Sequence, residues 1–175
     1  MKKKTFIQAL TLTAFSLLFS FAVKAQPHVL SPHDTVSGTV NGAKITIIYG
    51  SPAVKGREVW GKLIPYDKAW RAGADEATIF ETSKDIKVQG KTLPAGKYTL
   101  FAIPGKASWT YVFNSQTGQW GITRTGDANY QEAKNVLTVT AKPVPAEMQE
   151  RMKFNIMPKG FALRWEKLEV PVTIQ

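Results

Sequence analysis

The sequence predicts an all-β chain: an antiparallel β-sandwich, immunoglobulin-like or jelly-roll-like, with one long ordered loop excursion and little helix. Three observations predict it. Apolar residues recur with period two rather than 3.6. Two-residue turn signals separate the alternating runs. The 13 glycines and 10 prolines all fall from Pro27 onward and punctuate short segments at close spacing. Many short alternating runs with such punctuation argue sheets packed face to face.

Thr35 to Val40 and Ala43 to Tyr49 flank Asn41-Gly42, a dipeptide that takes positive φ readily, so they form a hairpin. In its second arm Ile45, Ile47 and Tyr49 alternate with Lys44 and Thr46. Gln89-Gly90 closes a second, weaker hairpin. Leu93-Pro94-Ala95-Gly96-Lys97-Tyr98-Thr99-Leu100 looks like the lead-in to a strand in secreted immunoglobulin-like and prealbumin-like sandwiches, with the Tyr98 ring buried and its hydroxyl tying down nearby backbone. Trp109, Tyr111 and Phe113 alternate with Thr110 and Asn114. Phe161, Leu163 and Trp165 alternate with Arg164 and Glu166; Leu168, Val170, Val172 and Ile174 alternate with Glu169 and Thr173. Each run has one face for a core and one for water. Helical turns are expected only at Asn129 to Asn135 and Pro145 to Arg151.

The first 25 residues read differently. Lys2, Lys3 and Lys4 precede an apolar run from Phe6 to Val23, and Val23-Lys24-Ala25 resembles a small-residue cleavage site. This is the layout of a secretory signal peptide cut before Gln26, so the expected location is periplasmic or extracellular. With no cysteine in the chain, a lipid anchor on that residue type is ruled out, as are disulfides, a thiol nucleophile and cysteine-ligated metals. The remaining 150 residues suit one domain able to hold together without disulfides, with no membrane span expected in it.

The formal net charge of +10 is partly an export signal. Removing Lys2, Lys3, Lys4 and Lys24 from the 23 basic residues leaves 19 against 13 acids, a net of +6. That charge is spread along the chain without a run, as on a solvated surface rather than a nucleic-acid footprint. Attraction to an anionic component of the cell envelope is a better use of it.

Strand periodicity lapses from Gly50 to Ala77, and a connection this long is usually functional or disordered. Trp60, Leu63, Ile64, Tyr66 and Trp70 give it an apolar payload, so an ordered excursion over one end or face of the sandwich is expected. Gly56-Arg57, Trp60-Gly61, Pro65-Tyr66, Trp70 through Thr78, Leu93 through Tyr98, Ile103-Pro104-Gly105, Trp109 and Trp120-Gly121 together resemble a family of secreted bacterial proteins known as a domain of unknown function, DUF2911, from about Ser31 to Ile174. The resemblance implies export and a single β-rich domain, and carries over no activity, cofactor or catalytic residue.

The candidate ligand-binding residues are Arg57, Trp60, Tyr66, Trp70, Arg71, Asp75, Glu76 and Trp120. Aromatic faces flanked by arginines and acids suit a polar ligand with apolar faces, such as a sugar. The same composition also suits a loop stapled to its own domain, with Arg57 or Arg71 paired to Asp75 or Glu76. Trp109 and Trp165 belong to the core. No cofactor is expected, since phosphate-binding glycine patterns are missing. No metal site is expected either: His28 and His33 are the only histidines, and with Asp34 they sit beside the new N-terminus. Nor is a serine triad expected on Ser31 or Ser51. Two functions follow: a non-catalytic ligand- or partner-binding module, or a hydrolase of envelope glycans using Glu58, Glu76 or Glu81 as acid and base.

Overall fold

Ten strands build the molecule in the computed structural model, which describes residues 31–175. They are β1 (His33–Val40), β2 (Ala43–Gly50), β3 (Ala74–Thr82), β4 (Ile86–Val88), β5 (Lys91–Leu93), β6 (Gly96–Ile103), β7 (Trp109–Asn114), β8 (Asn135–Ala141), β9 (Val144–Met157) and β10 (Gly160–Thr173). The leader and His28 lie outside the described residues.

One six-stranded antiparallel sheet runs in the order β1-β2-β3-β6-β7-β8. The long β9–β10 hairpin and the short β4–β5 hairpin make the second layer. Backbone pairs join the two hairpins: Lys87 and Gln175 exchange hydrogen bonds at 2.8 Å in each direction, and Gln89 N–H donates to Thr173. Aromatic contacts span the layers, with Phe80 5.5 Å and Tyr111 5.9 Å from Phe161, and Tyr49 5.0 Å from Phe154. The expected β-sandwich is the observed one.

Local chemistry explains the pairing. Asn41 (φ 47°) and Gly42 (φ 77°) make the first two-residue turn, and Gln89 (φ 47°) with Gly90 (φ 78°) makes the second the same way. Ile45, Ile47 and Tyr49 are buried on one face of β2, as are Trp109, Tyr111 and Phe113 on β7. Tyr98 is buried and its hydroxyl donates to the Pro94 carbonyl at 2.8 Å, fixing the corner before β6. In β10 the buried set changes phase, from Phe161, Leu163 and Trp165 to Val170, Val172 and Ile174. The change coincides with register shifts on either side of Glu166 (φ 54°), where β9 carries the extra residues of the ladder.

One expectation needs correction. Asn129 to Asn135 does contain a turn of 3-10 helix, Glu132–Lys134, but Pro145 to Arg151 is the first half of β9. That half pairs with β10 yet faces solvent, with Val144 and Met148 exposed. An exposed ribbon buries no face, so its sequence carries no period-two apolar signal.

One face of the large sheet is covered fully and the other in part. Toward the second layer lies the main core; on the other side Ala77, Phe101 and Val112 form a small cluster with Ile103, Ala128 and Tyr130. Those last residues bring in a second irregular segment, 115–131, between β7 and the 3-10 helix, with Tyr130 stacked 4.5 Å from Phe101.

Candidate functional site

The excursion between β2 and β3 is ordered and packed over one end of the sandwich. It begins by extending the second layer, since Val54 N–H donates to Glu150 and Met152 N–H donates to Pro52. It then drives Trp60 and Trp70 into the core against Trp109 and Trp165. Trp60 lies 4.8 Å from Trp109 and 5.6 Å from Trp165, both edge-on, while Trp70 stacks on Trp165 at 6.0 Å and 24°. Such pairs contribute about 0.5–1.5 kcal/mol each beyond their buried area. Trp60 is therefore a core residue of the excursion.

The backbone here holds unusual conformations. Of seven non-glycine residues with positive φ among the described residues, four are in or beside the excursion: Lys55 (48°), Asp67 (60°), Ala72 (51°) and Asp75 (63°). Buried side chains fix the most crowded stretch. The Trp70 indole donates to the Gly73 carbonyl at 2.9 Å and the Thr78 hydroxyl donates to the Ala72 carbonyl at 3.0 Å. Left-handed conformations of this kind cost roughly 1–3 kcal/mol each and persist only where the surroundings over-determine them.

Segment 115–131 faces the excursion, and the two are joined through Arg71. Its Nη1 donates to the Trp120 carbonyl at 3.0 Å and its guanidinium lies 5.4 Å from the centre of the Trp120 ring. Ala77 N–H donates to the Gln119 carbonyl at 3.3 Å close by. Between the two segments is a cleft of about 760 Å³. Its apolar lining includes Leu63, Ile64, Trp70, Ile122, Tyr130 and Trp165; its charged lining is Arg57, Lys68 and Arg71 from the excursion and Asp127 and Glu132 from the facing side. Lys68 approaches Asp127 at 4.0 Å, and Asp127 also accepts from the Thr125 hydroxyl at 2.9 Å. Burial lowers the Arg71 guanidinium from its usual value, and Asp75 and Glu76 act in the opposite direction. Burial, with Glu132 adding to it, raises the Tyr130 phenol.

Of the eight residues singled out from the sequence, Arg57, Trp70 and Arg71 line this cleft. Tyr66 sits behind it with the Lys106 ammonium 5.9 Å from its ring centre, and Trp120 is exposed beside it. Asp75 is buried and accepts from Ser31 N–H at 2.7 Å; Glu76 meets the His33 imidazole at 3.1 Å. The expected ion pairs from Arg57 or Arg71 to Asp75 or Glu76 are not formed among the described residues. Both guanidiniums bond main-chain carbonyls instead: Arg57 takes those of Val54 and Ala53 in the excursion, and Arg71 takes that of Trp120 in the facing segment. Glu58, Glu76 and Glu81 are not brought together on the cleft wall, and Glu81 pairs with Lys97 at 2.9 Å. Lys68, Asp127, Tyr130 and Glu132 were not among the sequence candidates. Asp127 and Tyr130 are marked by the lapse of strand alternation from 115 to 131, interrupted by Gly118, Gly121 and Gly126, whereas Lys68 belongs to the excursion and Glu132 opens the 3-10 turn.

A family model described as Protein of unknown function (DUF2911) matches residues 31–174. The chain belongs to this family. The match spans both walls of the cleft, so excursion and facing segment are parts of the DUF2911 domain rather than additions to it. No curated protein and no solved structure matches the chain. No group of three or more metal-ligating side chains occurs among the described residues, and no helix there is long and apolar enough to cross a membrane.

Proposed function

We propose that this DUF2911 protein is exported and serves as a non-catalytic binding module, with the cleft between the excursion and segment 115–131 as its ligand site. The observation that carries the reading is the cleft itself. Its volume of about 760 Å³ falls within the roughly 300–1,000 Å³ range of small-molecule sites, and it combines aromatic surface with a few charged groups. The locked left-handed residues in one wall support it, since strained backbone gathers where a site is preorganised. Export rests on the basic, apolar and small-residue order of residues 1–25. The ligand expected in that setting is a component of the cell envelope.

A thermal-shift screen of envelope-derived small molecules tests the binding role. A ligand at a hundredfold excess over its Kd adds about 2.7 kcal/mol, or several degrees in Tm. Stabilisation that is unaffected by changes at Arg57 and Arg71 would place binding elsewhere and contradict the reading. Cell fractionation with N-terminal sequencing tests export, with Gln26 as the expected first residue.

A further inference from the structure

Arg57 and Arg71 share the cleft, and neither has a carboxylate within 4.0 Å among the described residues. Arg57 gives Nε to the Val54 carbonyl at 3.0 Å and Nη2 to the Ala53 carbonyl at 2.6 Å. Arg71 gives Nη1 to the Trp120 carbonyl. A carbonyl fixes a guanidinium in place without cancelling its charge, whereas a carboxylate does both. Each fork is therefore held in orientation and still carries N–H donors that these bonds do not use.

The neighbouring acids are engaged elsewhere. Asp75 accepts from Ser31 N–H, Glu76 pairs with His33, and Asp127 holds Thr125 and approaches Lys68. Three cations and two carboxylates line the cleft, Asp75 and Glu76 act on Arg71 from outside that lining, and the two arginines are the lining cations with no carboxylate within 4.0 Å among the described residues.

We infer that the cleft is a site for an organic anion, whose carboxylate or phosphate is held by Arg57 and Arg71 while an apolar or ring-shaped body lies against Trp70 and Tyr130. The inference deepens the binding role proposed above and rests on it. Bidentate guanidinium contacts suit either oxyanion, and the apolar surface of Leu63, Ile122 and Tyr130 beside them favours an organic anion over a bare inorganic ion.

The test uses matched charged and neutral probes on the purified protein: indole-3-acetate against indole-3-acetamide, galacturonate against galactose, and benzyl phosphate against benzyl alcohol. Binding is followed by tryptophan fluorescence and calorimetry. The expected result is that the anion of at least one pair binds about tenfold or more tighter than its neutral partner, with the preference shrinking as salt is raised. Arg57→Gln, which leaves the fold intact by thermal unfolding, should abolish that preference, and Arg57→Lys should restore part of it. Carboxylate or phosphate leading the series supports the proposal and names the oxyanion. Neutral probes binding as tightly as their anions would overturn the anion site and leave the ligand cleft standing. If neither class perturbs the cleft, both readings fall.

Discussion

The Arg71 guanidinium donates to the Trp120 carbonyl at 3.0 Å and lies 5.4 Å from the centre of the same residue's indole ring. One side chain of the excursion thus holds both the main chain and the side chain of the facing segment. This contact couples the two walls of the cleft although the Trp120 side chain is exposed.

Replacing Arg71 by Leu should remove a hydrogen bond to a charged donor and a cation–π contact, together about 1–3 kcal/mol. Trp120→Ala keeps the carbonyl and should cost about 0.5–1 kcal/mol. In hydrogen exchange the loss in Arg71→Leu should concentrate in residues 119–130, with β9 and β10 unchanged. A loss spread evenly over the molecule would contradict the coupling.

Gly121 is where the facing segment comes closest. Its φ is +91°, and a β-carbon built there would lie 2.8 Å from the β-carbons of both Arg71 and Ala77. Gly121→Ala should therefore destabilise by about 1–3 kcal/mol through strain and crowding. Gly126→Ala has a similar φ of +90° with nothing within 4 Å, and controls for strain alone. Urea midpoints for the two variants separate the effects: Gly121→Ala should fall clearly lower.

The tryptophans should divide sharply. Trp60 is packed among Trp70, Trp109 and Trp165, so Trp60→Ala should cost about 3–5 kcal/mol. Trp120→Ala should cost far less. Comparable losses at the two positions, measured by denaturant unfolding, would contradict the assignment of Trp60 to the core.

Much of the framework was legible because it obeys local rules. Ile45, Ile47 and Tyr49 alternate because β2 has one buried face, and Asn41-Gly42 fixes its register to β1. The Tyr98 hydroxyl reaches Pro94, four residues away, so that contact is visible in the string. Pro145 to Arg151 was not legible, because its partners around Glu166 are set by a bulge and its faces are wet. The site was half legible. Arg57, Trp70 and Arg71 stood out by composition, but what anchors Arg71 is a carbonyl 49 residues away, and every residue has a carbonyl. Sequence distinguishes carboxylates from other side chains; it does not say which main-chain oxygen a fold will deliver to an arginine.

Alkaline stability gives a further check. Burial foremost, helped by the nearby Asp34, raises the Tyr49 phenol to about 12, and burial raises Tyr111 as well. The unfolded chain ionises near 10, so between about 10 and about 12 it binds fewer protons than the native state and stability falls as pH rises. The contribution is fully present below about pH 10. Unfolding free energy should be flat with respect to these groups up to that point and then decline, and Tyr49→Phe should make the decline shallower. An unchanged slope in Tyr49→Phe would contradict the assignment to Tyr49.

Ligand entry between the excursion and segment 115–131 is read out by the indole N–H signals in a proton–nitrogen correlation spectrum. The five tryptophans give separate reporters: Trp70 reaches the cleft wall, while Trp109 and Trp165 are fully buried in the core. Titrating the tightest-binding anion should shift Trp70 in a saturable way and by more than Trp109 or Trp165. Saturable binding with Trp70 unmoved would contradict entry at that cleft.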